Sequence, residues 1–213
     1  MSSPNPQPMA PPLVVAPGAA GRARSLAWLG IAWHALEFAV ALAAGVAASS
    51  LALIAFGVDS LIEAAAGGVV LWRLAGRRLV DPAAERRAQQ LIALSFLLLA
   101  VYVAVEGAHS LLAGLRPEAS PAGLALAAVT LVAMPLLARA KRRAGAAAGS
   151  PALVDEATQS TLCASLSAAL LAGLGANAAL GLWWADPLAA LVVAAAALRA
   201  ARQGWRGRSC SCC

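Results

Sequence analysis

The sequence predicts an all-α membrane protein, a bundle of six transmembrane helices with both termini in the cytoplasm. Hydrophobic residues make up 61% of the 213 residues and charged residues only 12%, against about 25% charged residues in globular domains. The apolar residues lie in six long runs, and the basic residues lie mostly between these runs. This composition excludes a soluble enzyme, a disulfide-rich secreted domain and an intrinsically disordered chain.

A transmembrane helix needs about 20 predominantly apolar residues to cross about 30 Å of hydrocarbon. By that measure, the predicted spans are 25–47, 51–74, 89–115, 121–139, 153–179 and 182–203. Residues 1–21 contain six prolines, and we expect a disordered, extended tail there because proline resists helix formation. Residues 22–204 then form the transmembrane domain, and residues 205–213 a short tail that ends in three cysteines.

The orientation follows from the positions of the Lys and Arg residues. Alternate connections and both chain ends carry 15 of the 16 basic residues, and only Arg116 lies on the other side. The 15 residues include Arg73, near the end of the second predicted span, and Lys141, just after the fourth. Cytoplasmic loops of membrane proteins carry an excess of Lys and Arg, which places both termini in the cytoplasm. The basic residues therefore serve membrane orientation, and we expect lipid rather than nucleic acid as a partner.

Two carboxylates lie inside the second span. Asp59 and Glu63 are four residues apart in an otherwise apolar run, so they share one face of a helix. An acidic residue at mid-span costs roughly 2.5–3.5 kcal/mol on the insertion scale. The alternative is a carboxylate pair solvated at the membrane interface, but both residues lie near the middle of the run. Acids inside spans usually have a function, and the pattern indicates a cation site.

The fifth span offers a second polar face. Asp155, Gln159 and Cys163 follow one another at four-residue steps, and oxygen and sulfur donors on two helices could together surround a divalent ion. A cysteine ligand favours soft ions such as Zn²⁺ or Cd²⁺ over Mg²⁺ or Ca²⁺. Two alternatives remain open: a polar helix face can form interhelical hydrogen bonds, and a lone Cys can be a small buried hydrophobe.

Two further pairs combine histidine with a carboxylate at a spacing of three residues. His34 and Glu37 lie in the first span, and Glu106 and His109 lie in the third. Each pair can make contact on its own helix. The first pair could relay protons or orient a metal ligand, or it could be a structural hydrogen bond. For Glu106 and His109 the structural interpretation is favoured.

Three segments carry a resemblance to a known family. The segments around Asp59 and Glu63, around Asp155 to Cys163, and around Trp183 to Asp186 resemble the cation diffusion facilitator superfamily, in particular its short bacterial cation transporters. The resemblance implies six helices with both termini in the cytoplasm and a location in the bacterial inner membrane. It also implies export of Zn²⁺ or a related ion from the cytoplasm in exchange for protons. It also implies that Asp59 and Glu63 match an acidic pair of the second helix.

The fifth helix departs from the family pattern, which has a His and an Asp there. The matching pair in this sequence is either Gln159 with Cys163 or Asp155 with Gln159. The soluble cytoplasmic domain of typical members is expected to be absent, and whether the chain forms a homodimer stays open. We predict a metal transporter with no tightly bound cofactor and no enzymatic activity. The competing hypothesis is a membrane protein that binds metal or assembles partners without transport.

Overall fold

The computed structural model describes residues 18–47, 51–114 and 121–207. The described residues form six long helices and contain no β-strand. The helices are α1 (Ala19–Ala47), α2 (Leu51–Arg73), α3 (Pro82–Ala113), α4 (Pro121–Ala147), α5 (Pro151–Leu180) and α6 (Ala185–Trp205). A short 3₁₀ helix, Gly76–Val80, connects α2 to α3. The predicted six-helix bundle is therefore confirmed.

Several helices are longer than their predicted spans. The helix α1 begins at Ala19, within the segment assigned to the Pro-rich tail, and α3 begins seven residues before the predicted start at 89. The helix α4 continues past residue 139 to Ala147 and runs through Pro135 without a break. Hydropathy detects only the lipid-crossing part of a helix, whereas these extensions carry charged residues that remain helical. Predictions for residues 1–17 and 208–213 lie outside the described residues.

The start of α3 shows how local sequence sets a helix boundary. The Asp81 side chain accepts a hydrogen bond from the Ala83 amide at 2.9 Å, and Pro82 occupies the first turn. Both features are typical of helix N-termini, because Asp satisfies a free amide and proline loses no hydrogen bond there. At the other end Gly114 adopts a left-handed conformation with φ of 61°, which glycine tolerates without strain.

The bundle exposes large apolar side chains on its outer surface and buries several ionisable side chains in its interior. Large apolar side chains such as Trp28, Leu98, Val105 and Val132 are more than half exposed. The buried set contains His34, Glu37, Asp59, Glu63 and Lys141 beside the aliphatic core. Water would penalise this arrangement, whereas lipid favours it, because intramembrane ionisable groups normally face the bundle interior. Three helices of the described part, α1, α3 and α4, are long and apolar enough to span a membrane by hydropathy and length alone.

The helices pack mainly in three pairs: α1 with α2, α3 with α6, and α4 with α5. Small residues allow close approach within the pairs. A Cβ atom on Gly67 of α2 would lie 2.8 Å from Cγ1 of Ile31 on α1, so the two helices meet at this glycine. The helix α5 also contacts α2, α3 and α6. This position lets α5 present side chains to α2 in the interior of the bundle.

Candidate metal site

The centre of the bundle holds two carboxylates and a thiol. Asp59 and Glu63 on α2 and Cys163 on α5 are all buried. Each contributes one ligand atom, and these atoms lie within 4.8 Å of one another. The four-residue spacing on α2 orients both carboxylates toward α5. The structure therefore brings together one predicted residue of the fifth helix and both predicted residues of the second.

The Asp59 carboxylate has unsatisfied bonding capacity. Both of its oxygens are buried, and neither has a hydrogen-bond partner among the described residues. A buried carboxylate without partners is costly, and a bound cation would remove this cost. Two carboxylate oxygens and a thiolate sulfur are ligand types that zinc accepts, and the sulfur selects against Mg²⁺ and Ca²⁺. The chemistry of the cluster fits a soft divalent cation as its occupant.

The Glu63 carboxylate lies close to a histidine of α1. His34 Nδ1 lies 3.1 Å from Oε2 of Glu63 and 2.9 Å from Oε2 of Glu37. His34 is fully buried, and its Nε2 atom has no hydrogen-bond partner in the described part of the chain. The hydrogen bond of Nδ1 is to Glu37, and both oxygens of Glu63 have no hydrogen-bond partner among the described residues. The predicted pair of His34 and Glu37 thus forms, and it contacts the cluster directly through Glu63.

Glu37 in turn has partners on two other helices. Its Oε1 accepts a hydrogen bond from Thr130 of α4, and its Oε2 lies 3.4 Å from the Ser60 hydroxyl of α2. Thr130 and Ser60 are both fully buried. Sequence reasoning missed these two residues, because single hydroxyls in a span are common and usually bond the helix backbone. The polar cluster therefore connects α1, α2, α4 and α5.

The other two candidates of the fifth helix, Asp155 and Gln159, make hydrogen bonds to α3. Asp155 accepts a hydrogen bond from Gln89 of α3 at 3.4 Å, and its eight-residue separation from Cys163 amounts to about 12 Å along a helix. Gln159 accepts one from Ser95 at 3.3 Å, while its buried amide nitrogen has no partner within the part of the chain that the structure describes. Of the two alternatives for the fifth helix, the geometry favours the one that contains Cys163.

The pair of Glu106 and His109 lies outside the cluster. His109 is exposed and Glu106 is partly exposed on α3. Neither residue belongs to the group of Asp59, Glu63 and Cys163. That these two residues have a structural role stays a prediction.

A helical bundle that exposes large apolar side chains and buries carboxylates beside a thiol is typical of an integral membrane protein. A family model described as the cation efflux transmembrane domain matches residues 83–204, which is more than half of the chain. The chain therefore belongs to the cation efflux family, and the resemblance to the cation diffusion facilitators is confirmed. No curated protein sequence matches the chain.

The matched segment covers α3 to α6 and the Cys163 side of the cluster. Asp59 and Glu63 on α2 precede it. The family match identifies the class of protein without using α2. The packing of α2 on α5 places the α2 carboxylates beside Cys163. The chain is a membrane cation transporter.

Proposed function

We propose that the protein exports a soft divalent metal ion, Zn²⁺ or a related ion such as Cd²⁺, from the cytoplasm of a bacterium in exchange for protons. The observation that supports this proposal is the cluster of Asp59, Glu63 and Cys163, whose ligand atoms lie within 4.8 Å in the bundle interior. A metal ion and a proton compete for the same carboxylates, because ligands must be deprotonated to bind metal. Rocking of the bundle would expose the site to each side in turn.

Metal flux into sealed inside-out vesicles tests this proposal. For an antiporter we expect metal uptake that exceeds the binding stoichiometry. We also expect this uptake to require a pH gradient in which the vesicle lumen is acidic. A panel of Zn²⁺, Cd²⁺, Co²⁺, Mn²⁺ and Fe²⁺ identifies the preferred ion. Saturation at stoichiometric metal, with or without the gradient, would contradict transport and favour the competing hypothesis of a metal-binding or assembly protein.

Cys163→Ser tests the ion preference. Serine keeps a polar group at this position but removes the soft sulfur donor, so we expect uptake of Cd²⁺ to fall more than uptake of Zn²⁺. The ratio of the two uptake rates in vesicles is the measurement. Ser165→Ala on the same helix is the control, because Ser165 is exposed and its hydroxyl donates a hydrogen bond to the Thr161 carbonyl of its own helix. An unchanged Cd²⁺ to Zn²⁺ ratio in Cys163→Ser would contradict a role for the sulfur.

The direction of export depends on the orientation, which the three tail cysteines can report. We expect Cys212 and Cys213 in intact cells to react with a membrane-permeant maleimide and not with an impermeant one, since the distribution of basic residues places the tail inside. Replacing Cys210, Cys212 and Cys213 by serine provides the control for labelling elsewhere. Labelling of the tail by the impermeant reagent would reverse the orientation and the proposed direction.

A further inference from the structure

A second charged group is buried next to the metal cluster. Lys141 of α4 is 0% exposed and forms an ion pair with Glu156 of α5, which is 2% exposed. The Lys141 ammonium also donates a hydrogen bond to the Ser160 hydroxyl at 3.2 Å. The second carboxylate oxygen of Glu156 is buried and has no hydrogen-bond partner among the described residues. Neither the family match nor the proposed metal cluster assigns a role to this pair.

The sequence spacing on α5 places this pair beside the metal cluster. Glu156 and Ser160 precede Cys163 by seven and three residues, which puts all three on one face of the helix. Glu156 is therefore about two turns from Cys163, toward the beginning of α5. The pair lies on the ligand-bearing face of α5, displaced from the thiol toward one end of the bundle.

Contacts with α1 identify that end. A Cβ atom on Gly30 would lie 2.6 Å from the Lys141 nitrogen and 3.7 Å from a Glu156 oxygen. Gly30 is one helical turn before His34, which contacts Glu63. The Lys141–Glu156 pair therefore lies between the metal cluster and the end of the bundle where α1 begins, which is the predicted cytoplasmic side.

Glu37 and Thr130 lie on the opposite side of the cluster. Glu37 follows His34 by one turn, and the Thr130 hydroxyl donates to it. Thr130 precedes Lys141 by eleven residues on α4, about 16 Å along the helix. The interior is thus arranged in three levels along α1: Gly30 with Lys141 and Glu156, then His34 with the metal cluster, then Glu37 with Thr130. A cation approaching from the first level meets the Lys141 ammonium before it meets Asp59.

Stability alone gives weak grounds for such a pair, because apolar residues often replace a buried ion pair without loss. We propose that Lys141 is a positioning residue that closes the cytoplasmic route to the metal cluster, with its ammonium held in the route by Glu156 and Ser160. This inference rests on the proposed transport function. When the Lys141 side chain moves out of the route, its positive charge no longer repels the incoming ion. The Glu156 carboxylate is then free to attract that ion.

The reactivity of Cys163 reports whether this route is closed. Cys163 is the free cysteine of the described residues and is 0% exposed. In a background in which Cys210, Cys212 and Cys213 are replaced by serine, Cys163 is the single thiol of the chain. Its alkylation by N-ethylmaleimide is followed by mass spectrometry in detergent micelles, without metal and without a pH gradient. The measurement therefore does not depend on whether the protein transports.

The test variant is the double substitution Lys141→Met with Glu156→Gln, which removes both charges, keeps similar side-chain lengths and leaves no unpaired buried charge. We expect alkylation of Cys163 to be faster by about tenfold or more, as a tenfold larger open population would produce. Gly30→Ala is a second variant that keeps both charges. Its methyl group collides with the Lys141 nitrogen, so displacement of Lys141 should also accelerate alkylation.

The matched control removes a different contact between the same two helices. Arg142 of α4 donates a hydrogen bond to Thr161 of α5 at 3.1 Å, and the double substitution Arg142→Met with Thr161→Val should keep the parental alkylation rate. A parental rate in both the Lys141/Glu156 variant and Gly30→Ala would overturn the proposal. Equal acceleration in the control would overturn it as well, because any α4–α5 contact would then have the same effect. Loss of vesicle flux in the parent protein would contradict only the transport function.

Discussion

Asp59→Asn is expected to insert into the membrane as well as the parent protein and to lose metal-dependent proton movement. Asparagine keeps the size of the side chain but removes the negative charge that binds the cation and the proton that is exchanged for it. Groups that only orient metal ligands contribute about 10–100-fold in metal affinity, so loss of a ligand charge should reduce uptake at least as much. Glu63→Gln should have the same effect. Proton release on metal addition to sealed vesicles measures both variants.

Matched controls separate this effect from a general loss of a carboxylate. Asp81→Asn removes an exposed acid that caps α3, and Glu106→Gln removes a partly exposed acid on the same helix. Both controls should transport at rates close to the parent. Parental proton-linked uptake in Asp59→Asn would remove the basis for antiport through this cluster and would favour the metal-binding or assembly hypothesis.

Lys141→Met alone is expected to cause a large loss of stability. It leaves the buried Glu156 carboxylate without its cation, and breaking a buried ion pair in this way costs about 3–5 kcal/mol. The unfolding temperature in detergent, read from circular dichroism, should fall clearly below that of the parent. In the double variant Lys141→Met with Glu156→Gln no charge is left uncompensated, so most of the loss should be recovered. Equal unfolding temperatures for the single and double variants would contradict this account of the pair.

The sequence was sufficient to predict the two carboxylates of α2, because an acid in an apolar run is costly and therefore conspicuous. For Cys163 the sequence leaves two interpretations open, a metal ligand and a small buried hydrophobe. A cysteine within a span has the same sequence signal in both cases. Only the approach of α5 to α2 in the bundle distinguishes these cases. Asp155 was a candidate on the same spacing, but its contact with Gln89 directs it toward α3.

The basic residues show a different limit of sequence reasoning. The distribution of basic residues includes Arg73 and Lys141 among the residues that determine the orientation. In the structure both are buried in ion pairs: Arg73 pairs with Glu85, and Lys141 pairs with Glu156. Lys141 stands among three arginines, which is typical of a cytoplasmic loop. The partner of each residue lies on another helix, and such a pairing depends on how the helices are arranged. The predicted orientation does not depend on these two residues, because the other basic residues favour the same side.

Glu85 joins the ends of three helices. It pairs with Arg73 at the end of α2, and its carboxylate accepts hydrogen bonds from the Ala152 amide at 2.6 Å and from the Ser150 hydroxyl at the start of α5. An anion at this position also interacts favourably with the positive end of the α5 dipole. The helices that carry Asp59, Glu63 and Cys163 are therefore both in contact with one carboxylate of α3.

The Glu85 contacts join the end of α2 to the start of α5, whereas along their lengths α2 packs mainly on α1 and α5 mainly on α4. A movement of the α1–α2 pair against the α4–α5 pair about this junction would change the distances from Cys163 to Asp59 and Glu63. The proposed metal site would then be formed or separated by the relative position of the two helix pairs.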